Sequence, residues 1–254
     1  VNVLDILDKK IEVNNQINKI LKSMAQEIFK YWFVDFEFPN EVGEPYKSSG
    51  GEMVESELGM IPKGWQVKTL GSYIKFIKGK KPTTIEERLF KGSKLYLTID
   101  VLNRNSVLYC CTDKMVKADM DDILMVMDGA SSGTLFYGQE GVVGSTLAKI
   151  EVANTELNNE FIYCSLKFFE SEIKTHTTGS AIPHTDKEYI NRLKIMVPHN
   201  QNLIKLFNKN IRQIKQKITN NEEESMKLKE IRDTLLPKLM SGEIRVPLEQ
   251  EGEV

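Results

Sequence analysis

The stretch Asn202–Leu236, NLIKLFNKNIRQIKQKITNNEEESMKLKEIRDTLL, decides the fold of this chain. Its apolar or tolerated residues recur in steps that alternate between three and four, which is the spacing of a coiled-coil seam. The seam residues are Ile204, Phe207, Ile211, Ile214, Ile218, Asn221, Ser225, Leu228, Arg232 and Leu235. The pattern is interrupted at Asn221 and Ser225 and recovers at Leu228. A helix of about 50 Å with so narrow a buried stripe needs a partner helix.

The partner is predicted at the start of the chain, in a helix from Asn2 to Phe33. The same alternation runs through Leu4, Leu7, Ile11, Asn14, Asn18, Leu21, Ala25, Ile28 and Trp32. A second stripe of Val13, Ile17, Ile20 and Met24 makes the apolar face wider than one partner helix covers. Because the first helix enters the middle of the chain and the last helix leaves it, the two are expected to pair antiparallel. Pro237 is expected to end or kink the last helix, since proline has no N–H to donate.

The segment from Ile61 to Pro198 changes to short strands separated by Gly, Asn, Asp and Pro. Strands are predicted at Trp65–Leu70, Lys94–Ile99, Asp122–Met127, Gly141–Ile150 and Lys194–Val197, with a helix at Phe161–Ile173. The fold class is therefore α+β, with a globular mixed α/β domain at one end of a long antiparallel helical coiled coil. The predicted parts are a long helix (1–38), a linker or surface loop (39–60), the middle domain (61–199), and the last helix with its tail (200–254).

The amino-acid composition does not indicate which kind of molecule the protein binds. Hydrophobic residues make up 41% and charged residues 28%, which is ordinary for a globular protein, and the formal net charge is −2. Charge is uneven, however: Lys63 to Lys94 contains nine basic residues against two glutamates, and Glu37 to Glu57 contains six acidic residues against one lysine. Ordinary surface variation and a nucleic-acid patch explain this equally well.

Three cysteines, Cys110, Cys111 and Cys164, cannot all pair internally and lack metal-site spacing. A reducing cytoplasm is therefore the expected location. Neither a signal peptide nor a membrane span is recognisable. The chain opens inside a helical pattern without an initiator Met, as expected for a fragment or a processed form.

The sequence contains no recognisable catalytic signature. His176, His184 and His199 form no HExxH or His-x-x-x-His pair, and phosphate loops, cofactor glycine loops and the polar-Pro-Pro-aromatic run of base methylases do not occur. The acidic run Asp119–Asp122 is interpreted as a turn before a strand rather than a metal-dependent phosphodiesterase site. No catalytic residue, metal or cofactor is therefore assigned to this chain. The aromatic run Phe29–Phe36 is interpreted as interior packing rather than a base-stacking platform, because its spacing is helical.

Four polar loops are candidate DNA-binding surfaces. Their candidate residues are Lys80, Lys81, Thr83 and Thr84; Asn103, Arg104 and Asn105; Ser131, Ser132 and Thr134; and Thr177, Thr178, Ser180 and His184. Arginine pairs with guanine and asparagine with adenine, while lysine, serine and threonine hold phosphates. Each loop alone is also compatible with an ordinary solvated loop.

A set of short motifs follows in order along the chain. They are Gly59–Trp65 (GMIPKGW), Gly79–Thr83 (GKKPT), Asp122–Ala130 (DILMVMDGA), Gly144–Thr146 (GST), Gly179–His184 (GSAIPH) and Met196–Pro198 (MVP). The helices contribute Met24–Phe36 (MAQEIFKYWFVDF) and Leu235–Ile244 (LLPKLMSGEI). Together these closely resemble the specificity (S) subunits of type I restriction-modification systems, over nearly the whole chain.

The resemblance implies a non-catalytic subunit that recognises double-stranded DNA. In such a subunit two target recognition domains each bind one half of a split site, and paired helices fix the gap and dock the methyltransferase (M) subunits. S-adenosylmethionine belongs to the M subunit, and the restriction (R) subunit is an indirect partner. With one recognition domain, this chain resembles a C-terminal half or a half-size subunit, and a homodimer through the long helices is expected. Two alternatives remain: the recognition part of a type IIG-like methyltransferase-nuclease, and a coiled-coil interaction protein.

Overall fold

The computed structural model describes residues 2–153, 156–179, 182–241 and 243. These residues form two compact units, one made of those within 1–25 and 210–243 and the other of those within 26–209. The helices are α1 (Asn2–Phe33), α2 (Ile99–Leu102), α3 (Asn159–Phe168), α4 (Glu170–Thr175), α5 (Lys187–Arg192) and α6 (Gln201–Met240). Long helices at both ends of the chain and a β-rich middle confirm the predicted fold class.

Fifteen strands were assigned in the described residues. They are β1 (Met53–Ser56), β2 (Gly59–Pro62), β3 (Trp65–Thr69), β4 (Ile74–Lys78), β5 (Ile85–Glu86), β6 (Ser93–Leu97), β7 (Tyr109–Cys111), β8 (Lys117–Ala118), β9 (Ile123–Val126), β10 (Leu135–Tyr137), β11 (Gly141–Val143), β12 (Leu147–Val152), β13 (Thr177–Thr178), β14 (His184–Thr185) and β15 (Lys194–Pro198). The shortest of them carry too little periodicity to be predicted from sequence.

Two sheets form the body of the larger unit. One has the order β10-β9-β12-β4 with every pair antiparallel. The other has the order β5-β7-β6-β11-β8, in which β6 and β11 run parallel. Strand β9 is buried at all four positions, which explains its unbroken apolar run. The core that includes Leu97, Leu124, Val126, Val143 and Leu147 draws on both sheets.

Aromatic side chains fill a second part of the core, where the end of α1 meets the start of α6. Phe33 packs edge-on against Phe161 and Phe207, with ring centroids 4.8 Å and 4.9 Å apart. Phe29 is also buried and contacts the same two rings. The interpretation of the Phe29–Phe36 run as interior packing is confirmed for Phe29, Phe33 and Phe36, which are buried, whereas Tyr31 is exposed.

In the smaller unit α1 and α6 pair antiparallel through polar as well as apolar residues. Arg232 forms an ion pair with Asp8 at 2.8 Å, and the Asn221 amide donates to the side-chain oxygen of Asn18 at 2.8 Å. Contacts therefore move backwards along α6 as they move forwards along α1. The Asn14 amide donates to the Ser225 hydroxyl at 3.2 Å. The interruptions in the seam pattern are thus a buried hydrogen-bond network.

Four details differ from the sequence analysis. The strand predicted at Gly141–Ile150 is divided into β11 and β12, which lie in different sheets. Helix α6 continues through Pro237 to Met240. Because proline has no N–H, the carbonyl of Asp233 lacks its helical hydrogen-bond donor. Asp233 is exposed, so this carbonyl can accept a hydrogen bond from water instead. The predicted loop before Met60 contains the hairpin of β1 and β2, which continues to Pro62. The helix predicted at 161–173 is divided into α3 and α4 at Phe169.

The buried asparagines generate a stability prediction. Replacing Asn221 by Ala removes its bond to Asn18 and leaves a buried oxygen without that partner, so the free energy of unfolding should fall by about 1–3 kcal/mol. Asn220→Ala is the matched control, because Asn220 is exposed and the change in helix propensity is the same. Urea unfolding followed by helical circular dichroism measures both. Equal effects of the two substitutions would contradict a stabilising network.

Candidate nucleic-acid interface

The sheet of β4, β12 and β9 brings two of the predicted loops together. Both β4 and β9 run antiparallel to β12, so both end at the edge where β12 begins. Lys78 at the end of β4 pairs with Ala148, and Val126 at the end of β9 pairs with Leu147. The loops that follow, 79–84 and 128–134, therefore leave the same edge of one sheet.

Gly79 fixes the start of the first loop. Its N–H donates to the carbonyl of Leu147 at 2.9 Å. A Cβ on this residue would lie 2.2 Å from the carbonyl oxygen of Gly144, a distance that no side chain tolerates. The GKKPT and GST motifs are thus in direct backbone contact, which accounts for a glycine at position 79.

Asp128 joins three segments at this edge. Its carboxylate pairs with Lys78 at 2.8 Å and with the Nδ1 atom of His184 at 2.8 Å. His184 belongs to β14, which pairs with β13 in a small hairpin, Thr177–Thr185. One carboxylate therefore links the end of β4, the end of β9 and this hairpin.

Backbone bonds reinforce the same junction. The N–H of Gly129 and the hydroxyl of Ser132 both donate to the carbonyl of Pro183, at 2.9 Å and 3.0 Å. The N–H of Thr185 donates to the carbonyl of Met127 at 2.8 Å. The hairpin is consequently held along one strand by the loop that follows β9.

The charge state of Asp128 follows from these contacts. Burial by itself raises the pKa of this carboxyl, but hydrogen bonds from Lys78 and His184 outweigh it and hold the pKa below its usual value. A carboxyl group whose pKa is lowered in the folded state stabilises the fold at pH values above its ordinary pKa of about 4. That contribution is lost as the pH falls through the lowered pKa, so the junction is intact at neutral pH.

The residues predicted from sequence fall into different environments. Those that are exposed are Lys80, Lys81, Thr83, Thr84, Asn103, Arg104, Asn105, Thr177, Thr178 and His184. Ser131 and Thr134 are partly buried. Ser132 is buried, and its hydroxyl holds the carbonyls of Gly129 and Pro183, so its place is inside the loop. Ser180 lies outside the described residues.

The loop with Asn103, Arg104 and Asn105 is built separately, at the end of α2. The N–H of Arg104 donates to Val101 at 3.0 Å, and that of Asn105 to Asp100 at 2.8 Å. Arg104 has a φ of 62°, in the left-handed region that residues other than glycine seldom adopt. The Asp128 contacts join the other three loops, and this fourth loop is positioned by its own helix.

Sequence reasoning missed the residues that organise the junction. Asp128 was assigned to the start of the candidate loop that follows a buried strand, without a role of its own, and Lys78 was counted only within the basic stretch. Their signal is weak, because a charged residue at a strand end is common. The acidic turn at Asp119–Asp122 was assigned correctly: Asp122 accepts from the N–H of Asp119 and pairs with Lys149 at 2.6 Å.

Among the described residues, no group of three or more His, Cys, Asp or Glu is arranged to hold a metal ion. Within the same residues, no helix combines the length and the low charge needed to cross a lipid bilayer.

Comparison with known proteins identifies the family. Residues 62–232 match the family described as the type I restriction modification DNA specificity domain, over more than half of the chain. The chain belongs to this family. The match confirms the predicted family and places the chain among specificity domains rather than among catalytic ones.

Named relatives agree with the assignment to the specificity-domain family. The chain is 30% identical to the type I restriction enzyme MjaIX specificity subunit of Methanocaldococcus jannaschii, over 96% of this chain and 57% of the relative. It is 27% identical to the HindI specificity subunit of Haemophilus influenzae, over 95% of this chain and 66% of the relative. The chain therefore spans 57% of the length of the first relative and 66% of the length of the second.

A solved structure shares the fold of this specificity domain and its helices. The type I restriction-modification S subunit from M. genitalium superposes with a TM-score of 0.64 at 23% identity, covering 94% of this chain and 59% of that one. The similarity supports the arrangement of long terminal helices around a β-rich middle.

The Asp128 junction generates a structural prediction. In Asp128→Asn the ion pair with Lys78 is lost and the hydrogen bond with His184 loses its charged partner, so the amides of Gly129 and Thr185 should exchange hydrogen faster at neutral pH. Hydrogen exchange with peptide-level mass spectrometry measures this. The matched control is Asp113→Asn in an exposed turn, which should leave both segments unchanged. Unaltered protection around residues 129–134 and 182–187 in Asp128→Asn would contradict the role given to this carboxylate.

Proposed function

We propose that this chain is the sequence-specific DNA-recognition subunit of a type I methyltransferase and restriction complex. The observation that carries the proposal is the junction at Asp128, on a chain of the DNA specificity family. It gathers the exposed cations of one loop and the exposed hydroxyls of the hairpin at one sheet edge. Cations and hydroxyls position a protein on phosphates, while base edges carry the sequence information.

The proposed roles of the candidate residues follow from their chemistry. Lys80 and Lys81 neutralise phosphates, and Thr83, Thr84, Thr177 and Thr178 donate hydrogen bonds to the backbone or to bases. Arg104, flanked by Asn103 and Asn105, is proposed to pair with a guanine. Ser131, Thr134 and His184 line the same junction. Ser132 supports the loop from within, and we leave it out of the contact surface.

Docking of the methyltransferase subunits is proposed for the helices. Helix α1 leaves Ile6, Val13, Ile17, Ile20 and Met24 exposed, in addition to the residues that face α6. Their spacing of seven, four, three and four continues one apolar stripe along the helix. An exposed stripe of this kind marks a protein interface.

The chemistry of the complex is proposed to reside in its partners. The methyltransferase subunit holds S-adenosylmethionine, and the restriction subunit joins indirectly. The free cysteines Cys110, Cys111 and Cys164 fit a reducing cytoplasm.

A homodimer is proposed to complete the DNA site. The larger unit, within 26–209, is proposed to be one recognition domain. A second copy, related by a two-fold axis and joined through the long helices, supplies the other half. Such a dimer recognises a split site with inverted half-sites.

Selection from random DNA duplexes tests the proposed function. The chain should enrich a defined sequence together with its methyltransferase subunit, and should transfer no methyl group from labelled S-adenosylmethionine when alone. Stoichiometric methylation by the lone chain would instead support a fused enzyme. Failure to enrich any sequence with the methyltransferase subunit present would support a coiled-coil interaction protein.

Salt dependence tests whether the loop after β4 faces DNA. Lys80→Ala should weaken binding to all sequences similarly and reduce the slope of log affinity against log salt by about one unit. Lys75→Ala is the matched control, an exposed lysine near the opposite end of the same strand. Fluorescence anisotropy across a salt series gives both slopes. Equal slopes for Lys80→Ala and the unaltered chain would remove Lys80 from the interface.

A further inference from the structure

Ile182 is a large apolar side chain exposed among polar ones. It is 58% exposed and precedes strand β14 by two residues. Thr177, Thr178 and His184 of the same hairpin are also exposed. Isolated exposed apolar residues are common on protein surfaces, so exposure alone assigns no role to this one.

The backbone around Ile182 is held in place. The carbonyl of the next residue, Pro183, accepts hydrogen bonds from Gly129 at 2.9 Å and from the Ser132 hydroxyl at 3.0 Å. A residue before proline is restricted to extended conformations, and a β-branched side chain has few rotamers. On the facing strand, Gly179 has a φ of 88°, and a Cβ there would lie 2.5 Å from the carbonyl oxygen of Ile182. The backbone on the C-terminal side of Ile182 is therefore fixed before any partner binds, and the side chain has few conformations available to it.

An ordered binding surface lowers the entropic cost of binding. A loop that is already ordered loses little conformational entropy on binding, so more of the contact energy appears as affinity. The buried Ser132 and the carboxylate of Asp128 hold the backbone of this exposed surface in place. Such order is not needed for contact with water alone. The arrangement suits a side chain that must meet a small target at a defined position.

The shape of the hairpin restricts the target. The major groove of B-form DNA admits a two-stranded β-ribbon, and the edges of the bases are polar there except for the C5-methyl group of thymine. We propose that Ile182 is a specificity-determining residue that contacts a thymine methyl group in the major groove. This assignment rests on the proposed function, since it names one base contact made by the same surface.

The test compares thymine with deoxyuridine, which lacks only the methyl group. The full chain with its methyltransferase subunit is used to select duplexes from random pools, and the selected site is remade with deoxyuridine at each thymine in turn. At one thymine per half-site the replacement should weaken binding about fourfold, the loss for one methyl group removed from burial. Ile182→Ala should bind both duplexes equally, and Ile182→Val should retain the preference.

A matched control separates this contact from a general loss of apolar surface. Val42 is 77% exposed in the same unit and lies between Glu41 and Glu44 in sequence, where phosphates are repelled. Val42→Ala should keep the full preference for thymine over deoxyuridine.

The outcomes distinguish the base contact from the proposed function. A defined selected site that tolerates deoxyuridine at every position overturns the assignment of Ile182 and leaves the proposed function standing. The same holds if Ile182→Ala still prefers thymine, or if the side chain wedges between bases regardless of the methyl group. Failure to select any site overturns both.

Discussion

The hydrogen bond between Asn18 and Asn221 is the interaction on which the helix pairing depends. Apolar seams tolerate a shift of one heptad, because another apolar residue then takes each vacated place. A buried amide does not, because a shift would leave it without its partner in an apolar environment. Asn14 and Ser225 repeat the same constraint one turn further along. The polar positions that weaken the coiled-coil pattern are therefore the ones that specify which turn of α1 faces which turn of α6.

A comparable polar contact organises the larger unit. Asp128 contacts the end of β4 and the hairpin of β13 and β14, and the loop that follows β9 adds backbone bonds to the hairpin. Because each bond fixes a backbone segment, exposed side chains between them are presented at set positions rather than on free loops. The two units thus use the same physical device, a partly or fully buried polar group with defined partners. In the smaller unit this polar group fixes the register of the two helices, and in the larger unit it fixes the positions of the exposed loops.

The sequence was most informative where a single periodicity covers many residues. Helix α1 has the predicted bounds Asn2–Phe33, and the buried run of β9 was identified from its composition. It was least informative for strands of two or three residues and for pairings between distant segments, such as β4 with β12. Local propensity contains no information on such pairings, so the meeting of Lys78, Asp128 and His184 could not be foreseen. Ser132 shows the same limit: its residue type suggested a contact surface, while its place in the fold is interior.

A fixed helix register matters for function only if it sets the distance between two recognition domains. The proposed homodimer supplies the second domain through a second copy. Mapping the methylated bases, after reaction of DNA with this chain and its methyltransferase subunit, tests the homodimer most directly. A homodimer predicts two identical half-sites in inverted orientation, separated by a constant gap, with one methylated base on each strand. A non-palindromic site, or a contiguous one, would contradict it.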